Sequence, residues 1–215
     1  TNVVRVLIWE GAAKLVAPHE AITEPDGTPD QWNAIRPLFG YGPESMYVAY
    51  NRYYPPALAN IEARNASPDR SHNETWDSLV ITGITGFLAY MFLFGSVLFF
   101  GFRWIGLIAS RFESALFVIL WVVGGGSVGA YFVGTGSPNL LGVGVAGGIA
   151  LGLALFLIVS ALVNALRKEG EDVHSALPLR DQMLLIAIVA TVVAHFVEIH
   201  TGIAIASTRI HFWVL

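Results

Sequence analysis

The chain has no cysteine. Disulfides, thiolate metal sites and cysteine nucleophiles are therefore excluded, and no compartment can be read from thiols. Charge is also scarce. Only 13% of the 215 residues are Asp, Glu, Lys or Arg, against about 25% in a usual soluble domain. Positive charge is the minority sign, 12 basic against 16 acidic residues, for a net −4. With no basic patch and no interleaved aromatics, nucleic acid is not an expected partner. The opening Thr1-Asn2-Val3-Val4-Arg5 lacks a basic start followed by an apolar core, so it does not read as a cleavable signal peptide. There is no initiator Met, and the sequence stops abruptly at Phe212-Trp213-Val214-Leu215. Both ends suggest a piece of a longer polypeptide. What the chain has in excess is apolar surface: 54% of residues are hydrophobic and the mean hydropathy is +0.60. Most of it is built for lipid.

The excess is not evenly spread. Residues 1–76 are polar and mixed, and residues 77–215 are mostly apolar. A spanning helix needs about 20 apolar residues. Four stretches qualify, at about 78–102, 114–134, 141–166 and 182–206, and a truncated fifth occupies 209–215. The expected class is all-α: a polytopic helical membrane protein with four spans, a partial fifth and an ordered loop region. Glycines crowd the middle spans, at Gly124, Gly125, Gly126 and Gly129, then at Gly142, Gly144, Gly147, Gly148 and Gly152. Small residues let helix backbones approach closely in a bilayer, and these glycines lack the strand context of a phosphate loop. Short-loop charge predicts orientation. Arg103 and Arg111 flank one loop, Arg167, Lys168 and Arg180 sit in another, and the loop around Ser137-Pro138-Asn139 has no basic residue. Basic loops stay cytoplasmic, so residues 1–76, the 135–140 loop and the end of the fourth span are expected outside.

The polar region is too aromatic for disorder, with Trp9, Trp32, Phe39, Tyr41, Tyr47, Tyr50, Tyr53 and Tyr54. Val3 to Val16 carries a helical pattern. Pro18 to Pro29 reads as loop, and Gly40-Tyr41-Gly42-Pro43 as a turn. Short helices are expected over Glu44–Tyr54 and Ala57–Arg64. The turn Ser67-Pro68-Asp69 then delivers His72 to the membrane surface. Long ordered loops of this kind are disproportionately functional.

The stretch Ser71-His72-Asn73-Glu74-Thr75-Trp76-Asp77 stands at the doorstep of the first span. His72-Asn73, nine further residues, and Gly83-Ile84-Thr85-Gly86 follow one another. This pattern resembles the external-loop signature of the O-antigen ligase and O-antigen polymerase family. Upstream, Arg5-Val6-Leu7-Ile8-Trp9-Glu10-Gly11-Ala12 and Gly40-Tyr41-Gly42-Pro43-Glu44 are similar to that family's Arg-led helix and GxG turn. The likeness covers about residues 1–100 and weakens beyond. Trp9 stands where the family's Arg-x3-Leu places Leu, and four spans are fewer than the family's ten or more. The resemblance implies a metal-independent membrane glycosyltransferase of polysaccharide biosynthesis, without cofactor. It implies a location in the bacterial inner (cytoplasmic) membrane and transfer of a glycan from undecaprenyl pyrophosphate to an acceptor hydroxyl on the outer face. The partners so implied are the lipid-linked donor and membrane lipids.

The chemistry assigns candidate roles. Loss of pyrophosphate is stabilised by cations, and the planar fork of arginine matches phosphate oxygens. Arg5, Arg36 and Arg70 are the candidates. The acceptor hydroxyl must lose a proton, and His72 is the expected general base, with Asn73 or Glu74 to orient it. The competing reading makes His72 an interfacial polar residue that caps the first span. A second cluster comprises His195, Glu198 and His200, then Arg209 and His211. His195 and Glu198 share a helix face. They either line the site or form a packing pair, since ionisable groups within a span are costly. No metal site is expected from a single helix. Two rival functions stay open: a non-catalytic subunit that docks onto other subunits through its Gly-rich helices, and a proton- or quinone-handling subunit built on His195 and Glu198.

Overall fold

A computed structural model describes residues 2–23, 26–166 and 177–202. The partial fifth span at 209–215, together with Arg167, Lys168, Arg209 and His211, lies outside the described residues. The described elements are helical, with no β-strand among them: α1 (Asn2–Val16), α2 (Arg36–Phe39), α3 (Met46–Ala49), α4 (Glu74–Ile105), α5 (Arg111–Gly134), α6 (Leu141–Leu166) and α7 (Leu179–Thr201). Short 3-10 turns fill in at Asn33–Ile35, Tyr50–Tyr53, Leu58–Asn60 and Pro138–Leu140. The helices α4, α5, α6 and α7 are each long and apolar enough to cross a bilayer. The chain is an all-α, polytopic, integral membrane protein. The short helices expected at Glu44–Tyr54 and Ala57–Arg64 are narrower: a turn of α-helix runs into 3-10 geometry at Tyr50, Pro55-Pro56 breaks the run, and one 3-10 turn follows at Leu58–Asn60.

The spans begin and end for local reasons. Asn73 caps α4, its side-chain oxygen accepting from Trp76 N at 3.2 Å. At the far end Gly106 takes a left-handed φ of 92°, and Leu107 N reaches back to Phe102 O at 2.8 Å. That is a glycine-terminated helix end. Ser110 and Glu113 form a reciprocal capping box at the start of α5. This explains why a carboxylate only 1% exposed sits at the edge of the bundle.

Between spans, packing rather than water exclusion holds the bundle, since lipid is as apolar as leucine. The helices α5 and α6 cross through their glycines. A Cβ on Gly148 would fall on the Gly124 carbonyl, and one on Gly152 on the Leu120 carbonyl. Aromatic rings fill the rest: Phe102 stacks on Phe156 at 5.6 Å, and Trp121 meets Phe196 at 5.7 Å. Phe92, Leu151 and Ile158 point outward on the lipid-facing side.

Residues 2–23 and 26–73 form a cap over the end of the bundle where α4 and α6 begin and α5 and α7 finish. Its core joins Ile8, Ala12 and Leu15 of α1, one face at helical spacing, to Met46, Tyr50, Leu58, Trp76 and Val80.

One break shapes the whole arrangement. Inside α4, Gly83 leaves helical geometry at φ 66°, ψ −168°, a region essentially reserved for glycine. The carbonyls of Val80 and Ile81 accept instead from Tyr41 N at 2.8 Å and Gly42 N at 2.9 Å. Thr85 Oγ1 donates to Leu38 O at 2.7 Å. Gly40 and Gly83 let the backbones touch: a Cβ on Gly40 would strike the Ile81 backbone, and one on Gly83 the Leu38 backbone. The GxG turn is thus seated in a broken helix. The stretch 84–105 remains, about 33 Å long at 1.5 Å per residue, enough to cross the hydrocarbon core by itself. The first span expected at 78–102 is therefore two pieces, and 74–82 belongs with the cap.

Candidate functional site

The loop before α4 is held from three sides. Trp9 Nε1 donates to Ser71 O at 2.9 Å. The Asp77 carboxylate, one turn into α4, accepts from Ser71 N and from Ser71 Oγ, both at 2.7 Å. Asn73 Nδ2 donates to His200 O at 2.7 Å, and the Asn73 amide rests where a Cβ on Gly142 would lie. Ser71 and Asn73 are consequently buried, at 0% and 1% exposure. Between them His72 adopts a left-handed φ of 59°, uncommon for a residue with a Cβ and worth a functional question. Its side chain is only partly buried and makes no hydrogen bond to any described residue. Both neighbours are clamped and the imidazole is left available.

His72 has charge around it. It lies, like Arg70, in electrostatic range of Asp77. Arg70 and Glu74, two residues before and two after it, line a groove of about 290 Å³ with Glu44 and Asp77. The groove runs down α4 past Thr82 and Gly86 to Tyr90, from the charged cap to the lipid-facing part of the span. Arg70 Nη2 stands 3.5 Å from Glu44 Oε1, a loose and exposed ion pair.

The remaining candidates divide. Arg5 reaches the same junction, its Nη1 donating to Thr201 O at 2.7 Å, which holds α1 to the end of α7. Arg36 lies elsewhere in the cap. Its Nε and Nη2 grip Asp30 at 2.8 and 3.0 Å, Nη1 reaches Gly40 O at 3.3 Å, and the guanidinium lies 5.0 Å over the Tyr41 ring. Those hydrogen bonds hold the Asp30 carboxyl below its usual range. Burial first, and then the neighbouring Tyr53 and Asp30, push the Tyr41 phenol up to about 12. It therefore stays protonated, and its oxygen lies in hydrogen-bond contact with His19 Nε2 at 2.8 Å. Arg36 thus shapes the GxG turn and is not beside His72. Asn73 is spent on the cap and on α7, so of the two residues expected to orient His72 it has no amide group to spare. Glu74 lines the groove.

His195 and Glu198 pair within α7, Nδ1 to Oε2 at 3.5 Å, and the His195 ring stacks on Phe94 inside the bundle. His200 turns away from them and donates from Nδ1 to Phe196 O at 2.6 Å. The residue that sequence reasoning missed is Asp77. Its signal was there: with Glu74 it is one of two carboxylates in the first turn of an apolar helix, where the helix N-terminus favours negative charge and backbone donors await partners.

Compared with family models, with curated proteins and with solved structures, the chain gives no match.

Proposed function

We propose that this chain is the membrane-embedded catalytic part of a glycosyltransferase of the O-antigen ligase and polymerase type. It would work in a bacterial cytoplasmic membrane, with the cap on the outer side. The observation that carries the reading is the conformation of His72. Its backbone is held left-handed between two clamped neighbours, and the residues two before and two after it, Arg70 and Glu74, line a groove that descends from the cap along a membrane span. Exposed Arg103, Arg111 and Arg180 lie at the end of the bundle away from the cap, which supports an outward-facing cap.

In this reading the isoprenoid pyrophosphate of the donor occupies the groove along α4. The neutral His72 imidazole takes the proton of the acceptor hydroxyl as its oxygen attacks the anomeric carbon. The bond from that carbon to the pyrophosphate oxygen breaks, and the undecaprenyl pyrophosphate departs with the electron pair. Arg70, on the groove wall, meets the charge that develops there. Asp77 positions His72 by fixing Ser71. Arg5 acts through the junction, holding the end of α7 against the loop.

Most of the glycines behind the docking alternative have a use inside the chain, while Gly126 and Gly147 have nothing within 4 Å. Gly124, Gly125, Gly129, Gly144, Gly148 and Gly152 are used in the contact between α5 and α6, and Gly142 against Asn73.

The test is His72→Asn in the natural full-length protein in its own cells. Asn tolerates the left-handed region, so the loop stays folded while the base is lost. Glycan transfer should fall by about 10²–10⁴-fold, with unchanged protein level in the membrane. Transfer at the wild-type rate would refute the assignment.

A further inference from the structure

The cap carries a second concavity that the transfer chemistry above does not use. It is a groove of about 720 Å³, lined only by residues between 47 and 67. That is far too large for an ion and falls within the range of small-molecule sites, about 300–1,000 Å³. Its walls are built. Asn51 Nδ2 donates to Tyr47 O at 2.9 Å, and Ser67 Oγ donates to Asn51 Oδ1 at 2.8 Å, which ties the two sides together. The Tyr54 ring is set edge-on against the buried Tyr50 at 6.1 Å.

What faces the groove is not spent. Tyr47, 60% exposed, and Tyr54 present rings and phenol groups. Glu62, Arg64 and Asn65 present a carboxylate, a guanidinium and an amide. None of these five side chains bonds within the described protein, in contrast to the Arg36, Asp30, Tyr41 and His19 cluster, where every head group is engaged. Flat aromatic faces suit the C–H faces of sugar rings. Planar polar groups suit pairs of adjacent hydroxyls, which both donate and accept. Glu62 and Arg64 oppose each other in sign, so the groove has no excess positive charge to select a phosphate or an anionic headgroup.

We propose that this groove is a saccharide site that holds the acceptor glycan. The proposal rests on the transferase reading for the word acceptor. None of its lining comes from a span, so it takes a chain lying outside the lipid rather than the isoprenoid-bound donor. It also lies within reach of the base. Ser67 and His72 are five residues apart, at most about 18 Å along the backbone.

The test uses the full-length protein in nanodiscs and short oligosaccharides released by mild acid from the surface polysaccharide of the native host. Saturation-transfer NMR and titration read binding. The wild type should bind. Tyr47→Ala should raise Kd about fivefold, the loss of one aromatic stack, while Tyr47→Phe, which keeps the ring, should stay close to wild type. His72→Asn should leave this Kd unchanged. In the transfer assay, Tyr47→Ala should raise KM for the acceptor and not for the donor. Absence of binding to the wild type, or equal binding by Tyr47→Ala, overturns the site. A rise in donor KM instead overturns its assignment to the acceptor. Sugar binding that survives together with full transfer by His72→Asn would remove the catalytic reading and leave the saccharide site standing.

Discussion

Replacing Gly83 with alanine should unseat the turn 36–42 from α4. Two costs combine. The backbone at φ 66°, ψ −168° costs a residue with a Cβ about 1–3 kcal/mol. The new methyl would also overlap the Leu38 backbone, so the turn must move away. Moving it breaks three hydrogen bonds: Tyr41 N to Val80 O, Gly42 N to Ile81 O, and Thr85 Oγ1 to Leu38 O. Each contributes about 0.5–1.5 kcal/mol net. Even the low end of both terms gives about 2.5 kcal/mol, close to two orders of magnitude in the equilibrium between seated and released turn. The assay is hydrogen exchange on the full-length protein in nanodiscs, read at the amides of Tyr41 and Gly42. Both should exchange slowly in the wild type and about 100-fold faster in Gly83→Ala. Gly126→Ala is the control: it is mid-helix, with nothing within 4 Å of the added methyl, and should change neither rate. Unchanged protection in Gly83→Ala would mean that α4 runs continuously through residue 83, and the seating of the turn would be refuted.

Two further outcomes are expected. Gly148→Val places a branched side chain on the Gly124 carbonyl and should cut the yield of folded protein on size exclusion in detergent. Gly147→Val, which meets nothing within 4 Å, should not, and equal yields would dismiss the glycine crossing. The Asp30 carboxyl is held low first by its hydrogen bonds from Arg36, so its contribution to the cap is complete above the unfolded value of about 3.9 and is lost as pH falls through the lower folded value. Exchange at Gly40 and Tyr41 should therefore accelerate below about pH 4 in the wild type. That pH step should vanish in Asp30→Asn, and a step of the same size in both would break the link.

Much of this architecture is legible in the residue order, because lipid imposes a strict length on apolar segments. Span 141–166 coincides with α6, and α1 extends Val3–Val16 by a single residue. The helix boundaries that shifted did so where charged residues at a helix end interrupt the apolar run. Arg111 to Glu113 lead into α5 and Leu179 to Asp181 into α7, and hydropathy alone does not count such residues. The break at Gly83 was harder. Glycine within a span more often marks close packing, and only the positive φ and the seated turn give this one its purpose. The reading of the candidate site was partial for a related reason. Spacing brings Arg70, His72 and Glu74 together, since they are nearly consecutive. It says nothing about which cation a distant carboxylate will claim, and so Arg36, taken for a phosphate ligand, is found bound to Asp30. Asp77 escaped notice because its partner, Ser71, precedes the helix and lies off the helical face that periodicity describes.

The loop around His72 depends on the last described span. Asn73 leans on the carbonyl of a residue 127 positions later, and Arg5 on one 196 positions later. During synthesis the earlier helices enter the bilayer while those two anchors do not yet exist. The loop would settle into its final shape only once α7 has been threaded and docked, so a half-made chain would hold residues 71–73 by α1 and α4 alone.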